Sequence, residues 1–338
     1  MDKTVVLGLS GGVDSAVAAA RLKESGWQVH CVYLDIGLGG SADAAAVAAG
    51  LDLPFETVNI QGELEEHVCA PFAADYLAGR TPIPCAKCNP TVKFPALLKV
   101  ADRLGFEKIA TGHYANTAPG ENGRTLLLRG KPSNDQSYML ARLPQSILQR
   151  VLFPLGEDEK TAIRLQAGDK TPSVAEKPDS MEICFVPGGD YAAWLDARGK
   201  TPPPGDFVDK NGTVLGRHLG LHHYTLGQGK GLNLSGPHRY FVTELRPETN
   251  QVVLSDGTDL GRTTVFCTDP NWISIENLTA ELPVTVRLRH SKTETAAIIA
   301  PLEGGVKITG ETEFRAPTPG QLAVFYRGEV VVGSGGII

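Results

Sequence analysis

The stretch that decides the fold is Val5–Ser15, VVLGLSGGVDS, which runs without a break into the helical pattern AVAAARLKES. Val5–Leu9 is a short run of mostly β-branched apolar residues, which is typical of a buried parallel strand. Ser10–Ser15 then turns the chain into a helix. Gly11 and Gly12 allow positive φ and leave the backbone open to a ligand, so N–H groups, serine hydroxyls and the positive helix end converge on an anion. The pattern predicts a phosphate cradle at Ser10–Ser15.

The cradle is not a Walker A loop, because no Gly-Lys-Ser/Thr follows and no lysine can reach a β- or γ-phosphate. It resembles the SGGxDS pyrophosphate loop of the ATP pyrophosphatases, which split ATP between the α- and β-phosphates to adenylate a carbonyl oxygen. The resemblance implies ATP and Mg²⁺ as ligands. Asp14 is the candidate metal ligand, and its alternative role is a carboxylate that stabilises the start of the helix. The alternative for the whole stretch is an ordinary glycine turn.

Length, composition and charge limit the classes of protein to which this chain can belong. A chain of 338 residues predicts two or three domains, and 42% hydrophobic and 21% charged residues are ordinary for a soluble protein. A net charge of −6 argues against nonspecific coating of nucleic acid but is compatible with one local basic groove. There is no secretory leader and no apolar run near the roughly 20 residues that span a bilayer, so we expect a cytoplasmic protein.

Strands and helices alternate in the first part of the chain. The predicted strands are 5–9, 29–34, 55–60 and 108–111, and the predicted helices are 16–26, 43–49, 63–78 and 93–104. This alternation predicts an α/β fold with a doubly wound parallel sheet over residues 1–198. Ligands bind at the carboxyl ends of such strands, where the cradle, Leu34 and Gly112-His113 fall. The pattern is again helical from Leu140 to Gln166, with a break at Phe153–Leu155.

The composition changes after Arg198. Lys200–Gly205, KTPPPG, predicts a stiff linker, and the chain beyond it is rich in glycine and β-branched residues. Asn211-Gly212 and Asp256-Gly257 are typical hairpin signals. We predict a small β domain at 204–260 and a C-terminal β-barrel domain at 263–338.

Six cysteines in a chain of this kind indicate free thiols, metal ligands or catalytic groups rather than a disulfide framework. Cys85 and Cys88 form a C-x-x-C turn, and Cys184 follows much later. The pair suits a redox couple, half a zinc site or two legs of an iron–sulfur cluster, but no second ligand pair completes a zinc site. Three thiols could bind a 4Fe–4S cluster with one free iron, or carry a persulfide that a second thiolate resolves as a disulfide. The other three are read as structural: Cys31, Cys69 and Cys267.

Together these stretches closely resemble the tRNA-specific 2-thiouridylases, which exchange the C2 oxygen of the wobble uridine for sulfur. The resemblance covers nearly the whole chain. Its landmarks are GLSGGVDS (8–15), GRTPIPCAKCNPTVKF (79–94), ATGHY (110–114), NDQSYML (134–140), FPLG (153–156), VAEKPDSMEICF (174–185), GLHHYTLGQGKGL (220–232) and TPGQLAVFY (318–326).

The resemblance implies a role for each matching residue. It makes Cys88 the nucleophile or resolving thiol and Cys184 the persulfide carrier, with Cys85 as a third ligand if a cluster is present. The implied ATP contacts are Gly8, Leu9, Ser10, Gly11, Gly12, Val13, Asp14, Ser15, Leu34 and Gly112. The implied tRNA contacts are His113, Asn134, Asp135, Gln136, Arg287, Leu288 and Gln321. The implied partners are the anticodon arm of tRNA, gripped by the barrel, and a sulfur-donor protein that serves a monomeric enzyme.

The chain departs from the family pattern at a few positions. Ile83 stands where asparagine is usual, Met181 replaces glutamine, Gly229 replaces arginine and Leu288 replaces a common tyrosine, while the segment 36–42 is short. These departures bear on individual tRNA contacts and on closure of the active-site loop. They leave the chemical groups intact.

The implied chemistry makes further demands on the sequence. Adenylation makes AMP the leaving group, and the attacking sulfur must be a thiolate, so a positive neighbour such as Lys87 or Lys93 should lower the thiol pKa. His113 could contact substrate or cap a strand in the core. The cluster of Arg287, Arg289, His290 and Lys292 could be a solvated face or a phosphate contact.

Two other functions remain open at this point. Another ATP pyrophosphatase ligase would use the same cradle but would not need Cys88 and Cys184. A noncatalytic iron–sulfur RNA-binding protein would use the cysteines but would leave the cradle without a purpose.

Overall fold

The computed structural model describes residues 3–131, 133–171, 174–177, 182–199, 201–290 and 293–338. Met181, Lys200 and Lys292, which entered the sequence predictions, lie outside these ranges. Among the described residues, no helix combines the length and the apolar composition required to cross a bilayer.

The elements of the N-terminal unit alternate as the sequence indicates. They are β1 (Thr4–Gly8), α1 (Val13–Glu24), β2 (Gln28–Asp35), α2 (Ser41–Gly50), β3 (Phe55–Asn59), α3 (Gln61–Leu64), α4 (Ala70–Leu77), α5 (Pro84–Cys88), α6 (Phe94–Leu104), β4 (Lys108–Ala110), β5 (Ala115–Pro119), β6 (Thr125–Arg129), α7 (Ser137–Leu140), α8 (Gln145–Leu148), β7 (Val151–Leu152), α9 (Lys160–Lys170) and α10 (Tyr191–Arg198). Two π-helical turns, Glu65–Cys69 and Asn89–Lys93, join α3 to α4 and α5 to α6. Short 3₁₀ turns lie at Glu121–Gly123 and Pro187–Gly189.

The parallel sheet has the strand order β3-β2-β1-β4-β7. The centre of the sheet is inaccessible to solvent, because Val5, Val6 and Leu7 are fully buried. The small side chains of α1, alanines 16, 18 and 19, allow that helix to pack closely against the sheet. The order places β1, with the cradle after it, between β2 and β4. The predicted doubly wound sheet is therefore confirmed, with its ligand-binding edge where the cradle lies.

The helical pattern predicted from Leu140 to Gln166, with its break at Phe153–Leu155, is only partly correct, because a strand comes just before the break. The chain there forms the short α8, then the strand β7, which pairs with β4 in parallel through Ile109 and Val151, and only then α9. A strand of two apolar residues leaves no alternation to detect, so it was read as part of a helical pattern. The β5–β6 hairpin was missed altogether.

The small unit is built from β8 (Gly205–Val208), β9 (Val214–His218), β10 (Phe241–Arg246) and β11 (Gln251–Ser255), in the order β10-β11-β8-β9. Asn211-Gly212 closes the β8–β9 hairpin as predicted, with Gly212 at φ +86°. Asp256-Gly257 does not close a hairpin, because the strand that follows it belongs to another sheet. The second hairpin turns instead at the 3₁₀ turn Pro247–Thr249, and a further 3₁₀ turn covers Leu221–His223.

The barrel is formed by β12 (Gly261–Trp272), β13 (Leu282–Arg287), β14 (Thr295–Leu302), β15 (Gly305–Arg315), β16 (Leu322–Arg327) and β17 (Val330–Ile337). Pairing of β12 with both β15 and β17 closes the ring, which confirms the predicted C-terminal barrel. The β5–β6 hairpin of the N-terminal unit joins this sheet through Leu128 and Val330.

The barrel and the N-terminal unit share one apolar core. Phe94 and Leu97 of α6 lie in the same buried cluster as Leu322, Tyr326 and Val331 of the barrel. The Tyr138 hydroxyl donates to the carbonyl of Leu322 at 3.0 Å across this junction. The barrel is thereby fixed against the unit that carries the cradle.

Candidate active site

A cavity of about 1050 Å³ lies between the cradle and the barrel. Ser10–Asp14 line one end, and Arg287, His290 and Glu294 of the barrel side line the other. Cys184 lines the same cavity. The other predicted ATP contacts are not among the lining residues, and two of them, Leu9 and Ser15, are buried. These contacts are Gly8, Leu9, Ser15, Leu34 and Gly112.

The cradle is held in shape by its own serines. The Ser15 hydroxyl accepts a hydrogen bond from the Ser10 N–H at 3.1 Å and donates to the Gly12 carbonyl at 3.1 Å. The Ser10 hydroxyl accepts from the Gly12 N–H at 3.3 Å. Gly11 has φ +74°, and a Cβ there would lie 2.9 Å from the Ala44 nitrogen. The hydroxyls therefore close the loop, while the glycines bring its backbone up to the cavity.

Gly112 supports the cradle by close approach of two backbones. A Cβ at Gly112 would lie 2.9 Å from the Asp14 carbonyl carbon and 2.9 Å from the Ser15 nitrogen. Glycine is required here because any side chain would push the cradle away from β4.

The Gly112→Ala variant is therefore expected to raise the KM for ATP by on the order of tenfold or more, since small displacements of a binding loop are costly. Gly168→Ala is the matched control, because a Cβ at Gly168 in α9 meets nothing within 4 Å. The check is steady-state AMP formation against ATP concentration, and equal KM values for the two variants would contradict the assignment.

Asp14 is bound by a cation of the protein itself. The Lys160 ammonium donates to its two carboxylate oxygens at 2.7 and 2.5 Å, and the Tyr114 hydroxyl donates to Oδ1 at 2.7 Å. The sequence makes Asp14 a candidate Mg²⁺ ligand, but in this arrangement Lys160 occupies the carboxylate. The residues present thus do not offer Asp14 as an open metal ligand.

A second lysine reaches the cradle from a distant part of the chain. Lys177 donates to the Gly11 carbonyl at 3.0 Å and to Asp43 at 2.6 Å. Lys160 and Lys177 both line the cavity, and they come from 146 and 166 positions beyond their partners in the cradle. The cradle sequence itself contains no lysine that could reach a nucleotide phosphate, as predicted, but two lysines from distant parts of the chain lie beside it. The fold brings two positive charges to the place where an anion would lie.

The cysteine region is formed by α5, the π-helical turn that follows it, and the segment around Cys184. Cys85 and Cys88 are half-buried, whereas Cys184 is exposed to the cavity. Burial raises the pKa of the Cys88 thiol to about 11, against the opposing effect of Lys93. Surrounding protein atoms also raise the pKa of Cys184, although its surface opens into the cavity. Lys93 acts on both thiols as predicted, but the predicted net lowering of the pKa is wrong because desolvation outweighs it.

Two sequence predictions about the cysteine region need correction: Lys87 does not act on the Cys88 thiol, and Cys69 lies near the predicted catalytic pair. Lys87 is exposed and does not figure among the causes of the Cys88 shift. Cys69, read as structural, is buried in the apolar cluster that Cys88 packs against, and the charged forms of Cys88 and Cys184 contribute to the raised pKa of its thiol. It belongs to the same region as the predicted catalytic pair.

His113 is a packed residue beside the cysteine region. Its ring stacks on Phe94 with centroids 6.0 Å apart, and its Nδ1 lies 2.8 Å from the Thr111 hydroxyl. Burial and the nearby Lys93 hold its pKa well below the usual range, so the imidazole is neutral at physiological pH.

Asn134, Asp135 and Gln136, which were predicted to contact tRNA, line the cavity and link the barrel to the N-terminal unit. We call these three residues the strut. Asp135 accepts from the Arg287 guanidinium at 2.6 Å and from the Ser137 N–H at 2.9 Å. Gln136 accepts from the Tyr114 N–H at 3.0 Å, and Asn134 lies next to Lys160 in the cavity lining. The strut thus connects the barrel to the residues that hold Asp14.

The two arginines of the predicted basic cluster are engaged inside the protein, whereas His290 of the same cluster is exposed and lines the cavity. Arg287 is only 4% exposed and lies 5.8 Å above the Tyr326 ring. Arg289 donates to the carbonyls of Leu226 and Ala316 at 3.0 and 2.6 Å, which fastens the barrel to the small unit. Charge reversal at these two positions would break internal contacts and would not test RNA binding.

Leu288 and Gln321 do not line the cavity. Leu288 packs in the barrel core, and Gln321 donates to the carbonyl of Thr81 at 2.9 Å, ahead of the cysteine turn. Of the other departures from the family pattern, Ile83 packs against the shared core, and the Gly229 carbonyl accepts from Arg239.

The fold and the cavity define the class: an α/β nucleotide-binding domain of the pyrophosphate-loop type, joined to two β units. Three family models match in succession, a tRNA methyl transferase HUP domain at residues 3–188, a tRNA methyl transferase PRC-barrel domain at 194–256 and an aminomethyltransferase beta-barrel domain at 262–337. The tRNA-specific 2-thiouridylase MnmA of Clostridium perfringens is 41% identical over 99% of this chain and 98% of the relative. The chain belongs to the tRNA-specific 2-thiouridylase family.

A second relative agrees with this assignment. The protein of the same name from Lachnoclostridium phytofermentans is 40% identical over 99% of both chains. A solved 4-thiouridine synthetase–RNA complex with bound ATP is far more distant, with 19% identity and a TM-score of 0.37 over 58% of this chain and 50% of that one.

Proposed function

We propose that this chain catalyses ATP-dependent 2-thiolation of the wobble uridine of tRNA, producing AMP and diphosphate. Full-length similarity to the 2-thiouridylases supports the reaction class. The observation that carries the proposal is that one cavity is lined by both the cradle and Cys184. A nucleotide and a sulfur-carrying thiol can therefore act on the same uridine.

In the first step, the uridine O2 attacks the α-phosphorus of ATP, and the bond between the α-phosphorus and the bridging oxygen breaks. Diphosphate leaves with the electron pair, the N3 proton of the uracil passes to solvent, and the base becomes a neutral O2-adenylate. The N–H groups of the cradle and the ammonium groups of Lys160 and Lys177 stabilise the departing charge. Mg²⁺ is expected to accompany the phosphates and to neutralise part of their charge.

In the second step, a persulfide on Cys184 attacks C2, and AMP leaves. The Cys88 thiolate then attacks the Sγ of Cys184, which breaks the sulfur–sulfur bond, leaves the terminal sulfur on C2 and forms a Cys88–Cys184 disulfide. A dithiol reductant restores the two thiols. The exposed Cys184 is accessible for reloading by a sulfur-donor protein. We expect the enzyme to act as a monomer in the cytoplasm.

An iron–sulfur alternative uses the same region. Thiolates are the ligands of 4Fe–4S clusters, so Cys85, Cys88 and Cys184 are the residues that would hold three of its irons. When bound, such a cluster would supply an iron with a free position for sulfide.

The pH dependence of the sulfur step follows from the raised pKa of Cys88. Its thiol, with a pKa of about 11, is protonated at neutral pH, so the thiolate fraction rises nearly tenfold per pH unit below that value. Single-turnover thiolation is therefore expected to accelerate from pH 7 to 9. The Lys93→Ala variant removes the charge that favours the thiolate and is expected to be slower at each of these pH values. A flat profile with persulfide-loaded enzyme would show that Cys88 deprotonation does not limit the step.

The direct test of the proposed function uses the purified chain with unmodified tRNA, ATP, Mg²⁺ and a persulfide donor. We expect 2-thiouridine and AMP in equal amounts, measured by nucleoside mass spectrometry and nucleotide chromatography. AMP formation without thiolation would favour another ATP pyrophosphatase ligase. Binding of RNA without any ATP cleavage would favour the noncatalytic alternative.

A further inference from the structure

A group of metal-binding side chains lies outside the cavity, where the last helix of the N-terminal unit meets the small unit. Within the described ranges, Asp196, His222 and His223 have ligand atoms that all lie within 4.8 Å of one another. Asp196 is on α10, and the two histidines are in the 3₁₀ turn Leu221–His223. None of the three lines the cavity between the cradle and the barrel.

The distances in this group are close to those of a coordination sphere. The Nε2 of His222 lies 2.9 Å from Asp196 Oδ1, and the Nε2 of His223 lies 3.6 Å from Asp196 Oδ2. Bonds of about 2.0–2.2 Å in tetrahedral geometry separate neighbouring ligand atoms by about 3.3–3.6 Å. Small side-chain movements therefore suffice to place one ion between the three atoms.

The exposure of the three side chains also suits a metal site. His222 is almost fully buried, with 1% of its side chain exposed, so its position is fixed by packing. His223 is 24% exposed and Asp196 is 46% exposed, which leaves a path for an ion and for water. Two imidazoles and one carboxylate are the donors that Zn²⁺ prefers, whereas Mg²⁺ and Ca²⁺ prefer oxygen ligands.

We propose that Asp196, His222 and His223 bind a zinc-type divalent cation, with water in the fourth position. The ion would link α10, which follows the segment that carries Cys184, to the small unit. Its position outside the cavity assigns it a structural role, because it would hold these two units together without contacting substrate.

The test must separate this site from the thiols, which also bind Zn²⁺. The background is therefore the full chain with Cys85→Ser, Cys88→Ser and Cys184→Ser. Zn²⁺ alone is titrated in competition with a chromophoric chelator, and Co²⁺ is used in parallel to observe the visible bands of a four-coordinate site. We expect one equivalent of bound metal and a higher midpoint of thermal unfolding with Zn²⁺.

Two variants in this background test the assignment of the ligands. His223→Gln and Asp196→Asn are each expected to weaken Zn²⁺ binding by at least about tenfold, as loss of a ligand or its partner does, and to remove the thermal shift. His238→Gln, at an exposed histidine of the same unit, is the matched control and should bind as the background does. The proposal is overturned if the background binds no stoichiometric Zn²⁺. It is equally overturned if His223→Gln, whose side chain is partly exposed and replaceable, binds Zn²⁺ as tightly as the control.

Discussion

Replacing Lys160 with alanine is expected to lower the rate of AMP formation by about 10²- to 10³-fold, the range seen when one preorganised group that stabilises transition-state charge is removed. Its ammonium lies 2.5 and 2.7 Å from the oxygens of Asp14 at the cradle, which is where the proposed mechanism develops the charge of the departing diphosphate. Lys160→Arg, which keeps the positive charge, is expected to recover part of the rate. The measurement is AMP release at saturating ATP and tRNA.

The matched control for this prediction is Lys170→Ala, in the same helix but paired with Glu24 at the surface. It should leave AMP formation unchanged. Asp14→Ala releases Lys160 from its partner and is expected to reduce AMP formation as well, with little change in tRNA affinity. If Lys160→Ala and Lys170→Ala form AMP at the same rate, the phosphate role of Lys160 is wrong.

The second large effect concerns the thiols. Cys184→Ser and Cys88→Ser are each expected to abolish thiolation of tRNA under either sulfur mechanism, because Cys184 lines the cavity and the charge of Cys184 acts on the Cys88 thiol. AMP formation should persist in both variants, since neither residue belongs to the cradle. This retained activity is the internal control that each variant folds and binds its substrates.

Cys85→Ser distinguishes the two sulfur mechanisms. On the persulfide route Cys85 is a bystander, and the variant should keep substantial thiolation activity in air. On the cluster route the loss of one thiolate removes both the cluster and the activity. We expect the persulfide outcome. Thiolation that requires bound iron in anaerobically reconstituted enzyme, together with an inactive Cys85→Ser variant, would contradict it.

The parts of the site that could be predicted from sequence are those encoded locally. Val5–Ser15 contains its strand, its glycines and its helix start in one stretch, and the alternation around it determines the parallel sheet. The pairing of Lys160 with Asp14 could not be predicted in this way, because only the three-dimensional fold brings residues 146 positions apart together. The raised pKa of Cys88 was missed for a related reason. The neighbouring Lys93 is visible in sequence, whereas the burial that outweighs it is not.

The barrel side shows the same limitation. Arg287 and Arg289 form a charged run in the sequence, and alternation alone cannot show that both guanidinium groups are already engaged by the protein. The predicted interaction of this segment with RNA phosphates rested on charge. The structure shows that these charges hold the barrel against Asp135 and against the small unit.

The core that the N-terminal unit shares with the barrel has a consequence for how this protein can be divided. A fragment ending near residue 198 would leave Phe94, Leu97 and Tyr138 without the barrel residues that cover them, and would expose the edge of β6 that pairs with Val330. Exposed apolar surface beside an open strand edge favours self-association. The three segments of this chain match separate domain families, but they do not fold independently of one another. We expect a fragment cut between them to aggregate rather than to fold into an active domain.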